Sequence, residues 1–141
     1  MKRKNTVQAI VYRKKEENEI LLLKRTKERG DFWQTISGRI EEGEKPVEAA
    51  KREVKEETGI DSYKKILELS NYYGSSDKNV KEYCFAFEVD NQINILLDNN
   101  PEIIEHDNFK WLSFEKAASL AKWPQYKSQI YLLKHYLENI K

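Results

Sequence analysis

The amino-acid sequence predicts an α+β fold, because segments with strand periodicity and segments with helix periodicity occur in the same chain. Residues 80–89 alternate their side chains between two faces, as a β-strand does. Residues 125–138 repeat apolar side chains every three or four positions, as one face of a helix does. With 141 residues, 39% of them hydrophobic, the chain is long enough for one core of ordinary size. We therefore expect a single mixed α/β domain over residues 1–141.

The N-terminal part of the chain predicts three strands. Thr6–Arg13 is rich in β-branched residues, and Glu19–Lys24 is a short apolar run with charged ends, typical of a central strand. The polar stretch Lys14–Glu19 is a turn, so these two strands form a hairpin. Phe32–Ile36 is an aromatic strand that leads directly into Ser37-Gly38.

A helix is predicted between Pro46 and Gly59. Proline suits the first helical position, where its missing N–H is not needed, and glycine suits the left-handed residue just past the end. At 3.6 residues per turn, one side of this helix is apolar and faces the core, and another is left for solvent. The apolar stripe comprises Val47, Ala50 and Val54, and the solvent side comprises Lys51, Lys55 and Thr58.

Strands are predicted for the middle of the chain. Ser62–Tyr73 and Val80–Val89 are strands separated by a turn at Gly74–Asn79. Cys84, inside the second of them, is interpreted as a small buried hydrophobe. Ile93–Leu97 is an apolar patch in a polar loop and a candidate for one more short strand.

The C-terminal part predicts one strand and two helices. Phe109–Leu112 is the strand, Ser113 is the N-cap of a helix over Phe114–Ala121, and Trp123-Pro124 interrupts the chain. The last helix runs from about Gln125 to Glu138. Its buried stripe comprises Tyr126, Ile130, Leu133 and Leu137.

The charge balance argues against some classes of protein. The net charge of +1 is low for a general binder of nucleic-acid polymers or membranes, which needs many contacts from Lys and Arg to phosphate. No apolar run approaches the ~20 residues that cross a bilayer. Cys84 is the only cysteine, so no internal disulfide forms, which fits a reducing cytoplasm. We expect a soluble cytoplasmic protein.

Three glutamates of the first helix carry the main functional signal. Glu53, Glu56 and Glu57 stand at positions i, i+3 and i+4 and therefore share one face. Like charges at these spacings repel, and they lie toward the helix C-terminus, where the helix dipole disfavours anions. A cation should therefore be present, and carboxylate oxygens are the ligands that Mg²⁺ or Mn²⁺ prefers.

The surrounding segment resembles the Nudix box. Residues 38–60 read G-R-I-E-E-G-E-K-P-V-E-A-A-K-R-E-V-K-E-E-T-G-I and match this motif at every specified position. The resemblance to the Nudix hydrolase family, whose members are MutT-like, implies an α/β/α sandwich with a mixed central sheet. The box would form a loop, a helix and a second loop. The family typically hydrolyses a nucleoside diphosphate linked to another moiety.

The resemblance also implies roles for individual residues. Glu53, Glu56 and Glu57 would bind the metal together with the backbone carbonyl of Gly38, and these glutamates would be catalytic. Glu44 and Arg52 would form a salt bridge that ties the loop to the helix.

Four residues outside the box helix complete the candidate site. Glu105 resembles a family carboxylate near the metal, so the general base is either Glu105 or a helix glutamate; an exposed loop acid is the alternative for Glu105. His106 is interpreted as a packing or hydrogen-bonding residue. Arg25 matches a position that contacts substrate phosphate in some relatives, with a solvated loop cation as the alternative. Phe32 and Trp33 either bind a flat ring or cover the edge of the core.

Further segments resemble the branch of the family that hydrolyses dihydroneopterin triphosphate and dATP. They are D-F-W-Q-T-I-S-G-R-I-E-E-G-E, E-H-D-N-F-K-W-L and A-A-S-L-A-K-W-P-Q-Y-K-S-Q-I, whereas Tyr63–Lys81 departs from that branch. The likeness implies Mg²⁺-dependent hydrolysis of a nucleoside or pterin triphosphate to monophosphate and pyrophosphate by metal-activated water. The alternatives are a dinucleoside polyphosphate or ADP-ribose-type pyrophosphatase, and a non-catalytic nucleotide-binding module. The expected partner is a small nucleotide, with no nucleic-acid polymer and no membrane, and the expected state is a monomer or homodimer.

Overall fold

The computed structural model describes residues 4–74, 78–97 and 104–139, which form one sheet with helices on both faces. The strands are β1 (Thr6–Arg13), β2 (Glu19–Arg25), β3 (Trp33–Gln34), β4 (Ile36–Arg39), β5 (Lys65–Tyr73), β6 (Lys81–Val89) and β7 (His106–Leu112). The helices are α1 (Pro46–Thr58), α2 (Phe114–Leu120) and α3 (Pro124–Asn139), and a 3₁₀ turn covers Lys27–Arg29. No helix in these ranges is long and apolar enough to cross a membrane.

The predicted hairpin of β1 and β2 is present, and its strands separate away from the turn. They pair antiparallel at Tyr12 with Ile20 and at Arg13 with Glu19. Farther along β1, the same edge is taken by β4, and β3 pairs with β2. Because one strand edge pairs with one partner at a given place, β3 and β4 fill the opening between β1 and β2.

The remaining strands extend the sheet on both sides. β6 lies parallel to β1 along its whole length, and β5 pairs antiparallel with β6. β7 pairs antiparallel with β2. The sheet is therefore mixed, as expected.

Apolar residues fill both faces of this sheet. One core cluster joins the sheet to α1 and includes Val54, Leu23 and Phe87. A second cluster joins it to α2 and α3 and includes Ile130 and Leu133. The fold is thus a three-layer α/β/α sandwich, and the predicted α+β class with a C-terminal helix is confirmed.

The predicted ends of α1 are confirmed, whereas one of its predicted faces is wrong in part. Gly59 is left-handed, with φ of 77°, as expected for the residue after the helix. Thr58, which is predicted to face solvent, is fully buried. Its hydroxyl donates to the Val54 carbonyl at 2.6 Å, so the polar group is satisfied within the helix. The segment that contains Leu96 also packs over Thr58, and the backbone N–H of Leu96 donates to the Thr58 carbonyl at 2.9 Å.

Three predicted strands need correction. Phe32–Ile36 is divided at Thr35 into β3 and β4, because the chain crosses there from β2 to β1. β5 begins at Lys65 rather than Ser62. Ile93–Leu97 forms no strand; three of its apolar side chains pack directly on the α1 side of the core.

The other predicted segments agree with the structure within a few residues. β7 begins at His106, three residues before the predicted strand, and Ser113 accepts a hydrogen bond from Lys116 as the N-cap of α2. Cys84 is buried, and burial raises the pKa of its thiol, which fits a packing role. Of the predicted turn Gly74–Asn79, residues 75–77 lie outside the described residues.

Two adjacent leucines of α3 provide a matched test of the α3 packing. Leu133 is 0% exposed and Leu132 is 36% exposed. Leu133→Ala should lower the free energy of unfolding by about 2–5 kcal/mol, because it leaves a cavity in the core. Leu132→Ala makes the same change in helix propensity and should cost about 0.5 kcal/mol. Urea unfolding followed by circular dichroism measures both, and equal losses would contradict this packing of α3.

Candidate active site

One guanidinium connects the loop before α1 to the glutamates on the helix. Arg52 Nε lies 2.8 Å from Glu44 Oε2, and Nη2 lies 3.1 Å from Glu44 Oε1, so the pair is bidentate. Nη2 also donates to the Arg39 carbonyl at 2.8 Å, which ties β4 to α1. Nη1 contacts Glu53 at 2.8 Å and Glu56 at 3.4 Å. The hydrogen bonds from Arg52 hold the pKa of Glu44 below its usual range.

Gly38 allows β4 to approach the helix carboxylates. A Cβ atom built at this position would overlap the carboxyl group of Glu53. The register of β4 on β1 places residue 38 opposite Val7, so its missing side chain is on the α1 face. A larger residue would have to displace Glu53 or the strand.

Glu53 lies in a partly dehydrated position. Its side chain is 14% exposed. Burial raises the pKa of Glu53 more than the hydrogen bonds with Glu57 and Arg52 lower it. A carboxylate with little access to water is stabilised by a cation close to it, so Glu53 is well placed to be a metal ligand.

Glu57, Glu105 and His106 come together from two distant parts of the chain. One ligand atom from each of them lies within 4.8 Å of the others. Glu57 is 4% exposed and comes from the last turn of α1, while the other two lie at the start of β7. The backbone carbonyl of Glu105 accepts from Thr26 at 3.0 Å, which fixes this start against the end of β2. Glu105 is therefore held beside the box helix.

A buried chain of polar side chains supports this trio from behind. Tyr126 donates its hydroxyl to Gln34 Oε1 at 3.1 Å, and Gln34 Nε2 lies 2.9 Å from His106 Nε2. An amide nitrogen is a donor, so His106 Nε2 accepts and the ring is neutral. His106 Nε2 lies 3.5 Å from Glu57 Oε1, and the contact is that of a neutral ring with a carboxyl group.

Two of these buried polar side chains, Gln34 and Tyr126, carry no functional signal in the sequence. Gln34 stands in an aromatic segment, and Tyr126 stands in the apolar stripe of α3. Their polar ends meet His106 because β3 crosses the opening between β1 and β2. That contact depends on strand pairing and not on local sequence.

The structure leaves Glu56 and Arg25 toward the surface. The Glu56 side chain is 58% exposed and lies outside the trio, in contact with Arg52. Arg25 Nε donates to the Arg29 carbonyl at 2.8 Å, and its guanidinium lies 5.7 Å from the Phe32 ring centroid.

The two predicted aromatic residues have different surroundings. Phe32 is half-buried and makes an edge-on contact with Trp123, with ring centroids 5.9 Å apart. Trp33 packs against the core on the α2 and α3 side, and Lys110 Nζ lies 5.0 Å from its ring centroid. Trp33 therefore covers the edge of the core, whereas Phe32 belongs to a partly exposed aromatic pair beside Arg25.

Comparison with known proteins assigns the family. The family model described as NUDIX domain matches residues 2–134. The chain therefore belongs to the NUDIX domain family, and the resemblance seen in residues 38–60 is confirmed.

Individual relatives support the same class. An RNA pyrophosphohydrolase from Bartonella tribocorum is 35% identical over 121 residues, covering 74% of this chain and 69% of the relative. A dihydroneopterin triphosphate diphosphatase from Escherichia coli K12 is 30% identical over 138 residues, covering 86% of this chain and 85% of the relative. An octanoyltransferase from Myxococcus xanthus is 34% identical over 113 residues, but this chain spans 30% of its length.

A solved structure agrees over nearly the whole chain. A NUDIX hydrolase from Listeria monocytogenes has a TM-score of 0.81 and 28% identity, covering 97% of this chain and 96% of that chain. Together with the family match and the relatives named for hydrolysis of phosphate compounds, it confirms the prediction of a Nudix-family enzyme.

Arg52 offers a test of how the carboxylates are positioned. Arg52→Lys keeps the positive charge but loses the bidentate contact with Glu44 and the bond to the Arg39 carbonyl. We expect Mn²⁺ affinity to fall roughly 10- to 100-fold, as it does when groups that orient metal ligands are removed. Isothermal calorimetry measures the affinity. The exposed neighbour provides the control, since Lys51→Arg should leave it unchanged; an unchanged affinity in Arg52→Lys would show that the guanidinium does not position the carboxylates.

Proposed function

We propose that this protein hydrolyses a nucleoside or pterin triphosphate to the monophosphate and pyrophosphate in a reaction that requires Mg²⁺ or Mn²⁺. The observation that carries the proposal is the meeting of Glu57 with Glu105 beside the partly buried Glu53. Carboxylates from two separate elements converge at one corner, and Gly38 leaves that corner open to close approach. Converging carboxylates suit a hard divalent cation.

The residues at this corner fit the metal that the family implies. The candidate ligands are the carboxylates of Glu53, Glu56 and Glu57 and the backbone carbonyl of Gly38, all of them oxygens. A divalent cation there would offset phosphate charge and lower the pKa of water. Arg52 holds Glu53 in place and is itself held by Glu44.

Glu105 is the proposed general base. It lies beside Glu57 but does not belong to α1. It can therefore accept a proton from the attacking water while all the helix glutamates remain available as metal ligands. A glutamate of the helix is the second candidate for this role. Gln34 holds the His106 ring in place, and this ring lies 3.5 Å from Glu57 Oε1. The water oxygen bonds to phosphorus, the phosphoanhydride bond breaks, and pyrophosphate leaves.

Substrate contacts are proposed for the edge of the site. We propose that Arg25 contacts a phosphate, since its backbone pairs with His106 where β7 begins. Phe32 lies under that guanidinium and forms part of the same wall, and Trp33 supports the wall from the core. The diphosphatase relative from E. coli supports a triphosphate, and the RNA pyrophosphohydrolase relative adds RNA to the compounds worth testing.

We propose a cytoplasmic enzyme that acts on small nucleotides as a monomer or homodimer, with the whole activity residing in one domain. A dinucleoside polyphosphate and ADP-ribose are the alternative substrates, because the same carboxylates would serve a different leaving group.

A substrate panel tests the reaction. With Mg²⁺, the protein should release pyrophosphate from one or more of the deoxynucleoside triphosphates, nucleoside triphosphates and dihydroneopterin triphosphate. Glu57→Gln should lower kcat by about 10²-fold or more, because it removes a charged oxygen from the metal corner. Glu68→Gln, an exposed change on β5, is the matched control and should retain full activity.

Other results would redirect the proposal. Turnover of diadenosine tetraphosphate, ADP-ribose or triphosphorylated RNA, with no release from the triphosphate panel, would contradict the proposed substrate class. Nucleotide binding that survives Glu57→Gln, with no turnover of any compound by the unmodified protein, would identify a non-catalytic binding module instead.

A further inference from the structure

Three buried side chains from α3, β3 and β7 form a hydrogen-bonded line that ends beside Glu57. Gln34 and His106 are each 2% exposed, and Tyr126 is 6% exposed. Gln34 Oε1 lies 3.1 Å from the Tyr126 hydroxyl, and Gln34 Nε2 lies 2.9 Å from His106 Nε2. The amide of Gln34 therefore connects α3 to the imidazole ring that contacts Glu57.

Strand register places Gln34 and His106 on the same face of the sheet. On β2, Leu23 pairs with Gln34 of β3. Arg25, two residues later on β2, pairs with His106 of β7. Paired residues share a face of a sheet, and so do residues two apart along a strand. Both side chains therefore lie on the face of Leu23, which packs toward α1.

A bulge in β7 gives His106 this orientation. Lys24 pairs with residue 108 and Arg25 pairs with His106, so Asp107 is an extra residue of β7. Without the extra residue, Arg25 would pair with Asp107. The side chain of His106 would then lie on the other face of the sheet, away from Glu57.

The Tyr126 hydroxyl sets which way round the Gln34 amide lies. Burial raises the pKa of this hydroxyl, so it keeps its proton and donates to Gln34 Oε1. The amide nitrogen consequently faces His106 Nε2. An amide nitrogen is only a donor, so the imidazole presents a lone pair at Nε2 and carries its proton at Nδ1.

The tautomer of His106 matters because of where Nε2 lies. It is 3.5 Å from Glu57 Oε1. A proton on Nε2 would lie between the ring and this carboxylate and would offset part of the carboxylate charge, in competition with a metal ion. With the proton on Nδ1, the imidazole gives Glu57 no proton from Nε2.

We propose that Gln34 is a positioning residue for the metal site: by donating to His106 Nε2, it excludes this nitrogen as a proton donor to Glu57 and so preserves the Glu57 carboxylate as a metal ligand. The proposal rests on the proposed function, since it concerns a ligand of the same metal. It extends the metal site to a residue of β3 that contacts neither the metal corner nor the substrate.

Nitrogen-15 NMR of the metal-free protein measures the tautomer directly. Two-bond correlations between the ring protons and ring nitrogens of His106 should show a protonated Nδ1 and a bare Nε2. The chain has one other histidine, the exposed His135, and the signals lost in His106→Phe identify those of His106. This readout requires neither metal nor turnover.

Gln34→Glu tests the consequence for the metal, because it keeps the shape of the side chain and removes its N–H groups. A carboxylate here accepts from both Tyr126 and the imidazole, so the His106 proton should move to Nε2, beside Glu57. Calorimetry should then show Mn²⁺ affinity lower by roughly 10-fold or more, as for other changes behind metal ligands. The added negative charge alone would raise the affinity, so the direction of the change separates the two effects.

Three further variants make the result specific. Gln8→Glu adds the same charge at a buried amide that contacts Thr35 instead of His106, and it should not lower Mn²⁺ affinity. In a His106→Phe background, Gln34→Glu should no longer lower it, because no imidazole proton is present. Tyr126→Phe removes the hydroxyl that orients the amide and should give a mixture of tautomers with a smaller loss of affinity. Circular dichroism checks that each variant is folded, and Tyr126→Phe decides the matter if Gln34→Glu is not.

The outcomes distinguish this inference from the proposed function. A proton on His106 Nε2 in the unmodified protein, or Mn²⁺ affinity that is unchanged or higher in folded Gln34→Glu, would overturn the role of Gln34 and leave the proposed reaction intact. The expected tautomer and the expected loss of affinity, in a protein that releases pyrophosphate from no triphosphate, would support the role of Gln34 and remove the proposed reaction.

Discussion

The structure depends on the guanidinium of Arg52, which offsets the electrostatic repulsion between the glutamate side chains of α1. Arg52 contacts Glu44, Glu53 and Glu56 and also binds the Arg39 carbonyl. It thereby joins the loop, the helix and β4, and it offsets part of the negative charge at the helix end. Arg52 carries one positive charge but contacts three carboxylates, so it cannot neutralise all of them. Burial also disfavours the charged form of Glu53. We place the metal at Glu53 and Glu57, because these two carboxylates have little access to solvent.

The separation of β1 from β2 gives that charged corner its shape. The crossing from β3 to β4 at Thr35 leaves a polar seam through the sheet. Gln8 Nε2 donates to Thr35 Oγ1 there at 2.9 Å, and Gln34 connects Tyr126 to His106. Polar side chains in such a seam must be paired to be stable, and these pairs fix their geometry. The seam therefore connects α3, through Tyr126 and Gln34, to His106 beside the carboxylate corner.

Local rules predicted the parts of the fold and site that depend on local sequence. Pro46 and Gly59 bound α1, and the spacing of Glu53, Glu56 and Glu57 identifies the charged face. Three other features were beyond such rules, because they depend on which strands become neighbours. Thr58 is buried by contacts with residues near Leu96, the strand predicted at Phe32–Ile36 is cut at Thr35, and Gln34 meets His106 only across the seam.

The central claim is that the carboxylates of α1 gather a divalent cation beside Gly38, with Glu105 next to them. Anomalous diffraction from crystals grown with Mn²⁺ and a nucleotide tests it most directly, because manganese is located without reference to activity. The account predicts an anomalous peak between Glu53, Glu57 and the Gly38 carbonyl. Bound nucleotide with no peak at that corner would contradict the metal site and, with it, the hydrolytic function.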